Sequence, residues 1–206
     1  MSGDPQLRFL ALGDSYTIGH NVEIGERWPV QLVHQLRGQG VNIAETEFIA
    51  VTGWTTSQLT EALDTSDTQG PFEIVSLMIG VNNQYQGLDI GQYRVEFVDL
   101  LHRSVAYAGN MPSNVIVVSI PDWSVTPFAE GKDNAQVASE IDDFNAVNHD
   151  EAAKVGARYV NVTTVSRLAA NEPHLLSSDG LHPSGAMYSR WVDLIIPACH
   201  GVVAPG

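Results

Sequence analysis

Five short, largely apolar runs, separated by longer stretches with helical periodicity, constrain this chain more than any other feature. Residues 7–13, 43–51, 74–79, 114–120 and 158–162 have the length and residue types of strands. Residues 28–39, 55–63, 89–108, 135–156 and 185–198 read as helices. The first of these sets Trp28, Leu32, Val33 and Leu36 at helical spacing, and the third does the same with Tyr93, Phe97, Leu100, Leu101 and Val105. A strand that is apolar at every position has both faces covered, as in a parallel sheet between helical layers. Right-handed crossovers then predict an α/β fold, a three-layer α/β/α sandwich around a parallel sheet of about five strands. No repeat, low-complexity tract or linker divides residues 1–206, so one domain is expected. The ligand site of such a sheet lies beyond the carboxyl ends of its strands.

Composition narrows what that site can meet. The 206 residues include 24 acidic and 10 basic side chains, a formal net charge of −14. Nucleic acid and anionic membrane surfaces both attract clustered Lys and Arg, so neither is an expected partner. The longest apolar runs fall far short of the roughly 20 residues of a membrane helix. Residues 1–5 show no basic region and no apolar core, so no secretion signal is read there. A cytoplasmic location is expected, in keeping with a lone cysteine, Cys199, that has no internal partner.

Polar and small residues stand at the strand ends. In order they are Gly13-Asp14-Ser15, Gly53, Gly80-Val81-Asn82-Asn83, Pro121-Asp122-Trp123 and, after strand five and a loop, Asp179-Gly180-Leu181-His182. These groups suit acyl transfer. A serine hydroxyl is a weak nucleophile until a base takes its proton, and imidazole titrates near neutrality. Asp179 stands three residues before His182, close enough for its carboxylate to reach the near ring nitrogen and fix the tautomer. Ser15, Asp179 and His182 are therefore the candidate catalytic residues. The backbone N–H groups of Ser15 and Gly53 and the side-chain amide of Asn82 are candidate donors to an oxyanion.

Taken in sequence order, these blocks resemble those of the SGNH (GDSL-type) hydrolases. The serine, glycine, asparagine and histidine of that family map to Ser15, Gly53, Asn82 and His182, with Asp179 as the third triad member. The resemblance runs from residue 7 to about residue 200. It implies a flavodoxin-like sheet and a serine hydrolase that needs neither metal nor cofactor. The substrate would be a small-molecule ester, and the enzyme an esterase, lipase, thioesterase, lysophospholipase or carbohydrate O-deacetylase. Two positions depart from the pattern. Tyr16 stands in place of the leucine of the family name, and Asn83 in place of the usual aspartate of the third block. That aspartate is expected to brace the loop, and an amide keeps some of its hydrogen bonds but not its charge.

Short-chain esters are the expected substrates, because the chain has no extra domain for lipid or polysaccharide. Trp54, Tyr85, Trp123 and Phe128 lie in strand-end loops and are candidate pocket residues, and the loop 121–134 is expected to shape the pocket. No metal site is expected, since no third ligand joins Asp179 and His182 at a recognised spacing, His174 being the nearest. His20, His34, His102, His149 and His200 read as surface or satisfied residues. The competing reading is a non-catalytic flavodoxin-like ligand-binding module, but residues 15–19 match a phosphate-binding loop only in part. Neither a Gly-x-Ser-x-Gly elbow nor a Walker pattern occurs.

Overall fold

The computed structural model describes residues 6–202. The segment 1–5, where no secretion signal is read, lies outside them. Strands β1 (Phe9–Gly13), β2 (Glu47–Ala50), β3 (Ile74–Met78), β4 (Val115–Val118) and β5 (Arg158–Val160) form one sheet in the order β2-β1-β3-β4-β5. Every pairing is parallel. β1, β3 and β4 are buried at every position, which is why they read as unbroken apolar runs. Helix α2 (Trp28–Gly38) packs against α8 (Gly185–Cys199). On the opposite face α5 (Ile90–Tyr107) packs between α3 (Thr56–Asp64) and α6 (Asn134–Val155). The three-layer α/β/α sandwich expected from the pattern is the one observed. No helix among the described residues is long and apolar enough to cross a membrane.

Aromatic side chains fill both interfaces between sheet and helices. Phe9 of β1 meets Trp28 with ring centroids 6.2 Å apart, and Tyr188 meets Trp191 edge-on at 5.1 Å. In the other layer Tyr93 lies 4.5 Å from Phe144 and 5.7 Å from Phe97. The Tyr93 hydroxyl donates to Asn148 Oδ1 at 2.5 Å, so this buried polar group is satisfied.

Two local features differ from expectation. β2 is shorter, because residues 43–46 are tied to α2 instead of the ladder. Arg37 donates to the Ile43 carbonyl at 2.9 Å and to Glu45 at 2.6 Å, and the Thr46 hydroxyl donates to the Pro29 carbonyl at 3.2 Å. A lone bridge between Leu7 and Ile43 remains of the longer pairing. The second difference is a pair of short helices, α1 (Ser15–Ile18) and α4 (Val81–Tyr85), at the ends of β1 and β3, which α7 (Thr163–Ser166) matches after β5. Both are too short for an apolar periodicity to register.

Two contacts hold these turns in place. Gly13 closes β1 where a Cβ would overlap the Met78 carbonyl oxygen and Thr17 Oγ1, so only glycine lets β1 pair with β3 while α1 turns back at once. Asn83, fully buried in α4, reads the start of α3. Its Oδ1 accepts the Thr56 N–H at 3.1 Å and its Nδ2 donates to Thr56 Oγ1 at 2.7 Å. The Thr56 hydroxyl in turn gives its proton to Glu96 of α5. The amide therefore does what a carboxylate could not, because the hydroxyl oxygen needs a donor and Glu96 already supplies a negative charge.

Gly13→Ala is expected to cost about 3 kcal/mol of stability, since the obstructing atom is backbone and cannot rotate away; urea denaturation measures it. Asn83→Asp is expected to lower stability even though aspartate is the commoner residue in this block. A charge near the α3 N-terminus gains at most about 1 kcal/mol, whereas the lost donor and the facing Glu96 cost about 1–3 kcal/mol. Thermal melting should show the loss, and Glu96→Gln in the same chain should recover part of it.

Candidate active site

The carboxyl ends of β1 and β3 bring Ser15 and Asn82 to one edge of the sheet, and Gly53 arrives from the loop after β2. Ser15 is the first residue of α1 and is buried. Its hydroxyl oxygen lies 3.0 Å from His182 Nε2, and His182 Nδ1 lies 2.7 Å from Asp179 Oδ2. The three residues read from the sequence as a triad are thus brought together across 167 positions of chain.

One turn builds the Asp179–His182 pair. The segment before α8 folds back on itself through a bridge between Leu176 and Pro183 and a hydrogen bond from Ser177 N to the His182 carbonyl at 2.8 Å. Asp179 Oδ1 accepts from Leu181 N at 2.9 Å, His182 N at 2.9 Å and the Ser177 hydroxyl at 2.8 Å. The second oxygen is left for the imidazole. Partial burial works to raise the Asp179 carboxyl, but the hydrogen bonds from the His182 ring, two backbone N–H groups and Ser177 outweigh it and hold it at about 2. Asp179 is therefore an anion that can only accept. His182 Nδ1 must carry the proton, which leaves the Nε2 lone pair facing Ser15. Burial pushes His182 below its ordinary value, Asp179 pulls it back by hydrogen bond and charge, and His20 pushes it further down.

Asp14 caps α1, accepting the Tyr16 N–H at 3.0 Å through Oδ1. Its Oδ2 is buried without a partner, and burial pushes the carboxyl from 3.8 up to about 7 against the pull of backbone hydrogen bonds.

Ser15, Gly53, Asn82, Tyr85, Trp123, Phe128 and His182 all line one cavity of about 130 Å³. Gly53 turns the chain with φ of +88°, and the Asn82 amide nitrogen donates to the Trp54 carbonyl at 2.9 Å, leaving its other N–H unused. Trp54 itself is not on the cavity wall. It is half-buried against the core, and its carbonyl is what serves the site. Tyr85, Trp123 and Phe128 form a closed triangle with centroids 5.5 to 5.9 Å apart. Trp123 is fixed from behind. Its indole N–H donates to Gln84 Oε1 at 2.8 Å, and Gln84 donates to Glu140 of α6 at 2.7 Å. The neighbouring Asp122 is held by Arg167 at 2.7 Å and by Ser124 N at 2.9 Å.

Sequence reasoning missed two residues here. Ser177 completes the Asp179 turn, and no pattern marks it. His20 reads as a surface or satisfied residue, and it is exposed and paired with Thr52, but the sequence does not show that its ring lies 4.8 Å from that of His182. Tyr16, whose ring lies 5.1 Å from the same imidazole, is four residues earlier, but α1 ends at Ile18 and Gly19 leaves the helix in the left-handed region, so no helical spacing marks the pair. His20, Asp179 and His182 are close enough to be weighed as metal ligands, with candidate atoms within 4.8 Å of one another. However, Asp179 Oδ2 is engaged with His182 Nδ1, and His182 Nε2 with Ser15, so the donors form a proton chain and not an open ligand set.

Solved structures share this fold at low sequence identity. A lipase/acylhydrolase from Enterococcus faecalis is 18% identical with a TM-score of 0.77, covering 98% of this chain and 99% of its own. Axe2, an acetylxylan esterase from Geobacillus stearothermophilus, is 16% identical with a TM-score of 0.72, covering 100% of this chain and 98% of its own. TesA is 18% identical with a TM-score of 0.70, covering 95% of this chain and 99% of its own. No curated protein sequence matches the chain. The sequence pattern of one family does match, over residues 11–190, and on that match the chain belongs to the GDSL-like lipase/acylhydrolase family.

Proposed function

We propose that this protein hydrolyses short-chain carboxylic esters through an acyl-enzyme on Ser15. The observation that carries the reading is the unbroken chain from Ser15 Oγ to His182 Nε2 at 3.0 Å and from His182 Nδ1 to Asp179 at 2.7 Å. Ser15 Oγ attacks the ester carbonyl carbon while its proton passes to His182 Nε2. The imidazolium that forms is stabilised by ionised Asp179. Charge collecting on the carbonyl oxygen is met by the N–H groups of Ser15 and Gly53 and by the unused N–H of Asn82. His182 then gives its proton to the leaving alkoxide. Water, deprotonated by the same base, releases the acid. Every step uses groups the chain supplies.

Cavity size supports a short acyl group. About 130 Å³ walled by Tyr85, Trp123 and Phe128 compares with the roughly 150 Å³ that accepts a benzene molecule. An acetyl or butyryl group fits such a space and an octanoyl chain does not. A second reading, removal of acetyl groups from a sugar, is favoured by Tyr85 and Phe128. These residues are 50% and 43% exposed at the rim, where a pyranose could stack on their rings. Similarity to the acetylxylan esterase Axe2 agrees with it.

Wild type should hydrolyse p-nitrophenyl acetate and butyrate with kcat/KM at least about tenfold above that for octanoate, and Ser15→Ala should lose at least about a thousandfold on each. Equal activity of Ser15→Ala and wild type would sink the mechanism. Trp123 also separates the cavity from a neighbouring hollow of about 310 Å³ that reaches Gln136 and Glu140. Trp123→Ala should therefore raise the octanoate-to-acetate ratio of kcat/KM about tenfold; an unchanged ratio with acetate activity retained would rule out the indole as the limit on chain length.

A further inference from the structure

His20 stands outside the triad, yet the fold brings it to the general base. Its N–H donates to the Ser15 carbonyl at 2.9 Å, which fastens it to the turn that carries the nucleophile. Tyr16 and His20 both press on the His182 ring, Tyr16 from the buried side and His20 from the exposed mouth. His20 Nδ1 lies 3.1 Å from Thr52 Oγ1, beside Gly53. This last contact tolerates either charge state. A neutral ring accepts the hydroxyl proton at Nδ1, and an imidazolium donates from Nδ1 to the hydroxyl oxygen. Adding a proton to His20 therefore changes the charge next to His182 without releasing the ring.

We propose that His20 is a positioning residue that sets the basicity of His182 through its own charge, while its hydrogen bond to Thr52 keeps the two rings in register. The proposal rests on the reading of His182 as the base that takes the Ser15 proton. During that transfer the Oγ–H bond breaks, the Nε2–H bond forms and positive charge appears on His182. A second positive charge on His20, with ring centroids 4.8 Å apart, opposes it. The groups that face the pair are Ser15 and Tyr16 from α1, Thr52 from the loop after β2, and Asp179 from the turn before α8. Asp14 lies buried behind Tyr16. Among these Asp179 supplies a constant negative charge, and Asp14, raised to about 7, changes its charge alike in every variant at position 20, so the charge at position 20 is what distinguishes them. Like charges at this distance near a protein surface shift each other by about half a pH unit or more.

The test compares His20→Gln, which cannot be charged, with His20→Lys, which keeps a cation across the working range. Two readouts are taken: kcat/KM for p-nitrophenyl acetate as a function of pH, and the His182 imidazole titration by NMR on isotope-labelled protein. The His182 midpoint and the acid limb should both lie at lower pH in the Lys variant than in the Gln variant, by about half a unit or more. The alkaline plateau of kcat should be lower in the Lys variant by about threefold, with KM little changed. Wild type should lie on or between the two variant curves at every pH. Superimposed His182 titrations in all three proteins would overturn the proposal, and so would shifts of the two variants in the same direction, which mark a lost contact and not a changed charge. Equal hydrolysis by wild type and Ser15→Ala would overturn the hydrolase reading, and the NMR midpoints would still decide the role of His20.

Discussion

Parallel pairing of β1 with both of its neighbours is the constraint on which the site depends. Gly13 lies in register with Ala50 of β2 and Met78 of β3. Because parallel strands run in one direction, the residues that follow all three leave the sheet at the same edge. Ser15, Gly53 and Asn82 converge for that reason alone. The rows of hydrogen bonds behind them fix the spacing far more firmly than loops could. The missing side chain at Gly13 is what permits the tight corner, since a methyl group there would force β1 away from β3 or α1 away from both.

Asp179 and His182 come from the other end of the chain and depend on packing instead of pairing. α8 lies along α2, and the turn before α8 is closed by its own backbone and by Asp179. A single carboxylate therefore folds the turn with one oxygen and orients the imidazole with the other. Loss of either function would disturb the second, because the same χ angles serve both. The aromatic wall is built on a comparable plan. Trp123 faces the cavity with its ring and is anchored through its N–H to Gln84 and onward to α6, so the loop after β4 is held by hydrogen bonds at its back.

Most of the fold was legible because a buried parallel strand leaves an apolar run that no other structure explains. The meeting of Ser15, His182 and Asp179 was legible too, because residue type, order and strand-end position all pointed one way. What escaped were features decided by tertiary contact. The strand expected at residues 43–51 shortens because Arg37 and Pro29 of α2 offer its first residues better partners than the ladder does. α1 and α4 are set by the corners they turn and not by any periodicity. Asn83 read as a weakened brace, and the structure shows an amide suited to a threonine that already faces Glu96. Trp54 drew notice for its ring and contributes a carbonyl.

The buried carboxyl of Asp14 has a consequence for the living range of the molecule. Its value in the folded chain is about 7 against an ordinary 3.8, so folding takes up a proton. The stability that this group lends is complete below 3.8 and is lost as pH rises through about 7. In the proposed mechanism His182 asks for the reverse, since a base must be unprotonated to act, and burial pushes that limit below the ordinary imidazole value. The carboxyl beside Ser15 then bounds the range of the molecule from the alkaline side and the ring across from it from the acid side, so two groups of one site close that range at opposite ends.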